Sequence, residues 1–124
     1  ANDKKGFTTR SKMHLSFDDG TKTITIDTPA GNRITLDEAG TKIEITDQNG
    51  NKVTMDSAGI KVESPLAIEI KAGTNLTLSA AASLSISAAS VSIKADADVS
   101  MEGAIAKLSS QGITEVTGSI VKIN

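Results

Sequence analysis

The sequence predicts an all-β protein in which identical chains intertwine as a homotrimeric triple-stranded β-helix, a triangular β-prism. Three observations predict it. Pairs of apolar residues separated by one polar residue recur down most of the 124 residues. Successive strand side chains point to opposite faces, so each unit turns two groups one way and one group the other. Aromatic residues are confined to Phe7 and Phe17, so the rings that fill most compact cores are scarce and slim aliphatics take their place. Finally, the units resemble one another closely enough to describe a repeat architecture rather than one irregular core.

Residues 1–12 carry Lys4, Lys5, Arg10 and Lys12 with little apolar pattern. They read as a lead-in from an upstream domain missing from this fragment, in keeping with an opening at Ala1 rather than Met. Residues 13–64 form a first β-helical part. Met13, Leu15 and Phe17 alternate with His14 and Ser16 and give its first strand, stopped by Asp18, Asp19 and Gly20. The units Ile24-Thr25-Ile26, Ile34-Thr35-Leu36, Ile43-Glu44-Ile45, Val53-Thr54-Met55 and Ile60-Lys61-Val62 follow. Their connections begin with Asp27, Asp37, Asp47 and Asp56 and end with Gly31, Gly40, Gly50 and Gly59. A leading carboxylate can bond nearby amides and a trailing glycine accepts positive φ. Taken alone, this part also fits an antiparallel meander of hairpins.

After Ser64 and Pro65 the units tighten to seven or eight residues. Residues 65–124 read as a narrow Ala/Ser-rich shaft ending in a tip. Its apolar pairs are Ile68 and Ile70, Leu76 and Leu78, Leu84 and Ile86, Val91 and Ile93, and Val99 and Met101. Weaker continuations are Ala106 and Leu108, Thr114 and Val116, and Val121 and Ile123. The Ala content invites a helix, but apolar pairs at i and i+2 fall on opposite sides of a helix and serine is too frequent.

A strand with two inward groups buries nothing alone, so the units must enclose a shared interior. A single chain winding a triangular tube would meet three different faces and tend to show a longer period spanning three strands. No such superperiod is present, as expected if three identical chains make all faces equal. The trimer core would then be Ile24, Ile26, Ile34, Leu36, Ile43, Ile45, Val53 and Met55, with all ten residues of the five shaft pairs from Ile68 to Met101. With roughly 13 rungs of about 4.8 Å, the rod would be on the order of 60 Å long, with open rungs only at its ends.

The formal net charge is −2 with signs mixed, which leaves no electrostatic footprint for nucleic acid. Cysteine is absent, and no long apolar run or secretory signal is present. His14 is the single histidine; it reads as an outward strand residue rather than a metal ligand on a threefold axis. Asp47-Gln48-Asn49-Gly50-Asn51 echoes a calcium loop but lacks its third acidic position and bidentate glutamate, and reads as a turn. No Gly-x-Ser-x-Gly elbow accompanies His14. Glu44, Glu69 and Glu115 occupy the exposed middle of their units among Lys61, Lys107 and Lys122, a mixed solvated surface. The expectation is a protein without catalytic residues, cofactor, metal or small-molecule substrate.

The runs from Arg10 to Asp19 (RSKMHLSFDD), from Gly31 to Asp37 (GNRITLD) and from Asp47 to Val53 (DQNGNKV) resemble VgrG-like spike proteins of contractile injection systems. The Ser64-Pro65 step and the terminus from Gly118 to Asn124 (GSIVKIN) are similar to the same family. These are the spikes of type VI secretion and phage-tail-like particles, related to the baseplate spikes of contractile phages. The resemblance implies a trimeric β-helical spike that follows an oligomer-binding-fold region, pierces a target membrane and carries a PAAR-repeat protein on its tip. Carried onto this chain, the cap-docking residues are Ser119, Ile120, Val121, Lys122, Ile123 and Asn124. It also implies assembly in the cytoplasm on the injection machine, then an extracellular or target-cell location, or a place in a phage-tail-like particle. The alternatives are a trimeric β-helical phage-fibre-type polysaccharide-degrading protein or an adhesin stalk.

Overall fold

Seven antiparallel strands follow one another in a single open sheet of order β1 to β7, and beyond Glu63 the chain runs on without a ladder. The computed structural model describes residues 2–124. Among them there is no helix. The strands are β1 Lys4–Thr8, β2 His14–Asp18, β3 Thr23–Asp27, β4 Arg33–Asp37, β5 Lys42–Thr46, β6 Lys52–Asp56 and β7 Gly59–Glu63. The all-β expectation is met. The chain divides into two units, Ala1–Thr77 and Leu78–Asn124.

Across 13–64 the chain adopts the meander alternative. Each strand pairs with its neighbour in sequence: Phe17 faces Ile24, Ile24 faces Leu36, Leu36 faces Ile43, Ile43 faces Met55 and Met55 faces Ile60. The connections are two to five residues long, so each strand of this part finds its ladder partner within the chain. Within the stretch read as a lead-in, Lys4–Thr8 is a strand paired with β2. Gly6 makes this close pairing possible: a Cβ there would run into the Leu15 carbonyl oxygen.

Asp37, Asp47 and Asp56 bond nearby amides as the sequence expects, as does Asp18, whereas Asp27 turns its carboxylate to His14 and Arg33 instead. Asp18 Oδ1 accepts from the amides of Gly20 (3.0 Å) and Thr21 (3.2 Å), and Asp37 Oδ1 from that of Gly40 (2.9 Å). Asp47 Oδ1 accepts from Asn49 and Asn51, both at 2.9 Å, and Asp56 Oδ1 from Ala58 at 2.9 Å. These bonds mimic a backbone turn and reverse the chain. The glycines divide. Gly31 and Gly50 take positive φ (110° and 89°), whereas beside Gly20 and Gly40 the left-handed residues are Lys22 (54°) and Thr41 (50°).

Connections on the same edge of the sheet are tied to each other. The Gln48 amide donates to Asn32 Oδ1 at 3.0 Å, and the Glu38 amide donates to the Lys22 carbonyl at 3.2 Å. Ser64 Oγ donates to Asn51 Oδ1 at 2.6 Å, the last link before the extended segment.

From Ala67 to Asn124 no backbone–backbone hydrogen bond is made within the chain. The backbone instead bends at regular places: Pro65–Leu66, Gly73–Thr74, Ala81–Ala82, Ala89, Asp96–Ala97, Ala104–Ile105, Gln111–Gly112 and Ser119–Ile120. The bends recur every seven or eight residues, in step with the apolar pairs. No side chain among the described residues is buried. The accessible surface is 11616 Å², against about 6,300 Å² for a compact monomer of this mass.

Candidate functional site

Strand register sorts the sheet into two unlike faces. On one face two apolar columns run across it. Phe17, Ile24, Leu36, Ile43, Met55 and Ile60 make the first, and Phe7, Leu15, Ile26, Ile34, Ile45, Val53 and Val62 make the second. The eight residues expected as trimer core in this part, from Ile24 to Met55, all lie on that face. Phe7, Leu15, Phe17, Ile60 and Val62 join the columns although they stand outside the expected core set. For Phe7 the signal was thin, since it is the one apolar residue in Lys4–Thr8.

The other face is polar. Ser16, Thr25, Thr35, Glu44, Thr54 and Lys61 follow one another in register down its middle. Glu44 is flanked by Lys52 at 3.4 Å and Lys42 at 3.8 Å. Toward one edge Asp27 Oδ1 meets His14 Nδ1 at 2.8 Å, and Asp27 Oδ2 meets Arg33 at 3.7 Å. This places His14 on the polar side, in the outward position expected. Its neighbour holds the imidazole by Nδ1, and no hydroxyl group is bonded to the ring's other nitrogen among the described residues. Nor does any group of three or more His, Cys, Asp or Glu side chains suited to a metal ion converge among them.

Asp47 sits at the centre of its turn. Side-chain and backbone hydrogen bonds from Asn51, with further ones from Asn49, hold its carboxyl down at about 2, from an ordinary 3.8. The five residues are thus a self-satisfied turn, and Asn49 and Asn51 spend their amide groups on the carboxylate at 3.3 and 2.7 Å.

An open groove of about 590 Å³ runs beside the first apolar column, lined by Ile24, Leu36, Ile43 and Met55 with Lys22, Asp37, Glu38, Thr41, Lys42 and Asp56 at its rim. Its floor belongs to the apolar face and its charges to the strand ends and connections, so it is an uncovered margin of that face.

In the extended segment the expected core residues keep near-identical surroundings. The first residue of each pair is 55–60% exposed at Ile68, Leu76, Leu84 and Val91, and the second is 67% exposed at Ile70, Leu78, Ile86 and Ile93. Val99 continues the series at 55%, while Met101 departs to 83%. From Ile68 to Ile93 the units thus repeat one pattern of exposure. The tip residues Ser119 to Asn124 lie in the same extended conformation, with the final bend at Ser119–Ile120. Ile120 and Ile123 are almost fully exposed.

No family model matches the chain, and no curated protein matches it. No helix among the described residues is long and apolar enough to cross a membrane.

Proposed function

We propose that this chain is the shaft of a homotrimeric spike, a non-enzymatic part of a contractile injection apparatus that pierces a target membrane. Its cap, a PAAR-repeat protein, would sit on Ser119, Ile120, Val121, Lys122, Ile123 and Asn124. One observation carries the reading: from Ala67 onward a regularly bent chain makes no backbone hydrogen bond of its own and buries no side chain. Ordering each residue costs about 1–2 kcal/mol of backbone entropy. Neither ladder nor core in this chain offsets that cost, so partner strands must.

Three copies meet the requirement with the least structure. A bend every seven or eight residues suits a chain that passes from one side of a prism to the next, and a triangle is the smallest section that closes. Two aliphatic groups per strand fill only a narrow interior, and threefold symmetry gives every unit the same surroundings. The backbone groups of each copy then pair with those of its neighbours, which removes lateral edges. The resemblance to VgrG-like spikes supplies the piercing role, the cap and the cellular route from cytoplasm to target.

Light scattering across a concentration series tests the reading. A trimeric mass down to dilute protein is expected, and a stable monomer overturns it. For the tip, removal of 119–124 should leave the trimer intact and abolish co-purification with a PAAR-repeat protein. Depolymerisation of capsular polysaccharide by the purified chain would point instead to a fibre-type enzyme.

A further inference from the structure

We infer that the apolar face of the β1–β7 sheet packs against the same face of the other copies, and that this contact sets the register in which the repetitive segment after Pro65 assembles. The inference rests on the trimeric reading above and assigns its two halves different modes of association.

The sheet has already satisfied its own ladders. Every strand from β1 to β7 is bonded to its sequence neighbour, and the connections are two to five residues long. Copies cannot exchange strands there, so they meet by a face. Only one face suits a dry contact, because the other carries Glu44 between two lysines and Asp27 between His14 and Arg33. Desolvating those groups against another protein surface is costly, whereas the columns through Ile24 and Ile26 carry no charge, and Ile26, Ile34, Leu36, Ile43 and Ile45 in them are exposed.

What covers the columns follows from the segment next to them. The chain leaves β7 at Glu63 and within a few residues enters the stretch whose backbone groups have no partner of their own. Strands of other copies must pair there, so the copies already stand side by side where the sheet ends. The surface in excess of a compact monomer, about 5,000 Å², is of the size that obligate assemblies cover.

Register is the reason the sheet matters. Ile68 and Ile70 present the same pair as Leu76 and Leu78 eight residues later, and their exposures coincide. Three such chains could slide by one unit and still match apolar to apolar, since repetitive strands specify register weakly. The sheet cannot slide: its strands are fixed by their turns, and its columns are marked by Phe17 at one end and Met55 near the other. Local hairpins also close at small entropic cost, so this part can form before the distant strands of the shaft find each other.

Pulse-labelled hydrogen exchange during refolding of the full chain tests the order. Amides in Thr23–Glu63 should gain protection in an earlier phase than those between Ala67 and Asn124. The full-length variant Ile93→Asp provides a second test. It should keep a trimeric mass and a protected sheet while amides around the substitution exchange at least tenfold faster. Shaft amides protected first or together with the sheet, or a monomeric Ile93→Asp chain, would overturn the inference. A wild-type trimer with a shaft-first order leaves the spike reading standing, whereas a wild-type monomer removes both.

Discussion

Ser64 Oγ donates a 2.6 Å hydrogen bond to Asn51 Oδ1, and the same oxygen accepts the Leu66 amide at 3.2 Å. One hydroxyl therefore ties the β5–β6 turn to the first bend of the extended segment. Pro65, which has no amide hydrogen to add to a ladder, follows at once, and its ring lies 3.4 Å from where a Cβ on Gly50 would be. The end of strand pairing and the start of the extended segment are fixed together by these contacts.

Ser64→Ala removes both bonds. Because the site is exposed, water replaces part of what is lost, and the expected cost is about 0.5–1 kcal/mol. Thermal melting should register a small decrease. Exchange at Leu66 should quicken while the centres of β3 and β4 stay unchanged. An unaltered Leu66 amide would mean that Pro65 alone shapes the junction.

Thr41 holds φ at 50° at the end of the β4–β5 connection, where its amide donates to the Glu38 carbonyl at 3.1 Å. A β-branched residue is unfavourable in that left-handed region. Thr41→Gly should therefore stabilise the protein by about 1 kcal/mol, less the entropy that glycine adds to the unfolded chain. Denaturant unfolding should give a higher midpoint with an unchanged slope. A fall in midpoint would show that the Thr41 side chain contributes more than its backbone costs.

The sheet was legible where two apolar residues bracket one polar residue, as in Ile24 to Ile26 or Ile43 to Ile45, because a period of two is a strand and nothing else. Its turns were legible through Asp37, Asp47 and Asp56. Three things were not. Lys4–Thr8 carries a single apolar side chain, so its alternation is invisible. The left-handed residues at Lys22 and Thr41 bear no chemical mark of that conformation. The third is that Ile24 to Ile26 and Leu84 to Ile86 are spelled alike although one unit pairs within its chain and the other does not. The difference lies between the units: Asp-led, Gly-ended connections reverse the chain, whereas Ser79 to Ser83 and Ser87 to Ser90 offer no such turn and the chain runs on.

Asp47 gives the acid limb of stability a definite position. Its carboxyl sits at about 2 in the folded chain against 3.8 ordinarily, chiefly through the Asn51 side-chain and backbone bonds. A lowered folded value means stability that is fully present above pH 3.8 and lost as pH falls through about 2. Melting temperatures should therefore decline across that window, and Asp47→Asn should flatten this part of the profile while lowering stability near neutrality. An equally steep decline in the variant would assign the acid limb to other carboxylates.

The polar face offers a test of which side of the sheet stays wet in the assembly. Thr35 lies directly opposite Glu44, whose carboxylate already has Lys42 and Lys52 beside it. Thr35→Glu sets two like charges across the strands and should cost about 0.2–1 kcal/mol, whereas Thr35→Lys should be neutral or slightly stabilising. Added salt should shrink the difference, because exposed charges are screened. Both variants should keep the parent's oligomeric mass, since the proposed contact between copies leaves Thr35 in solvent. Loss of assembly in Thr35→Lys would mean that the Thr25–Thr35–Thr54 side faces a partner, and the apolar columns would then have to be covered in some other way.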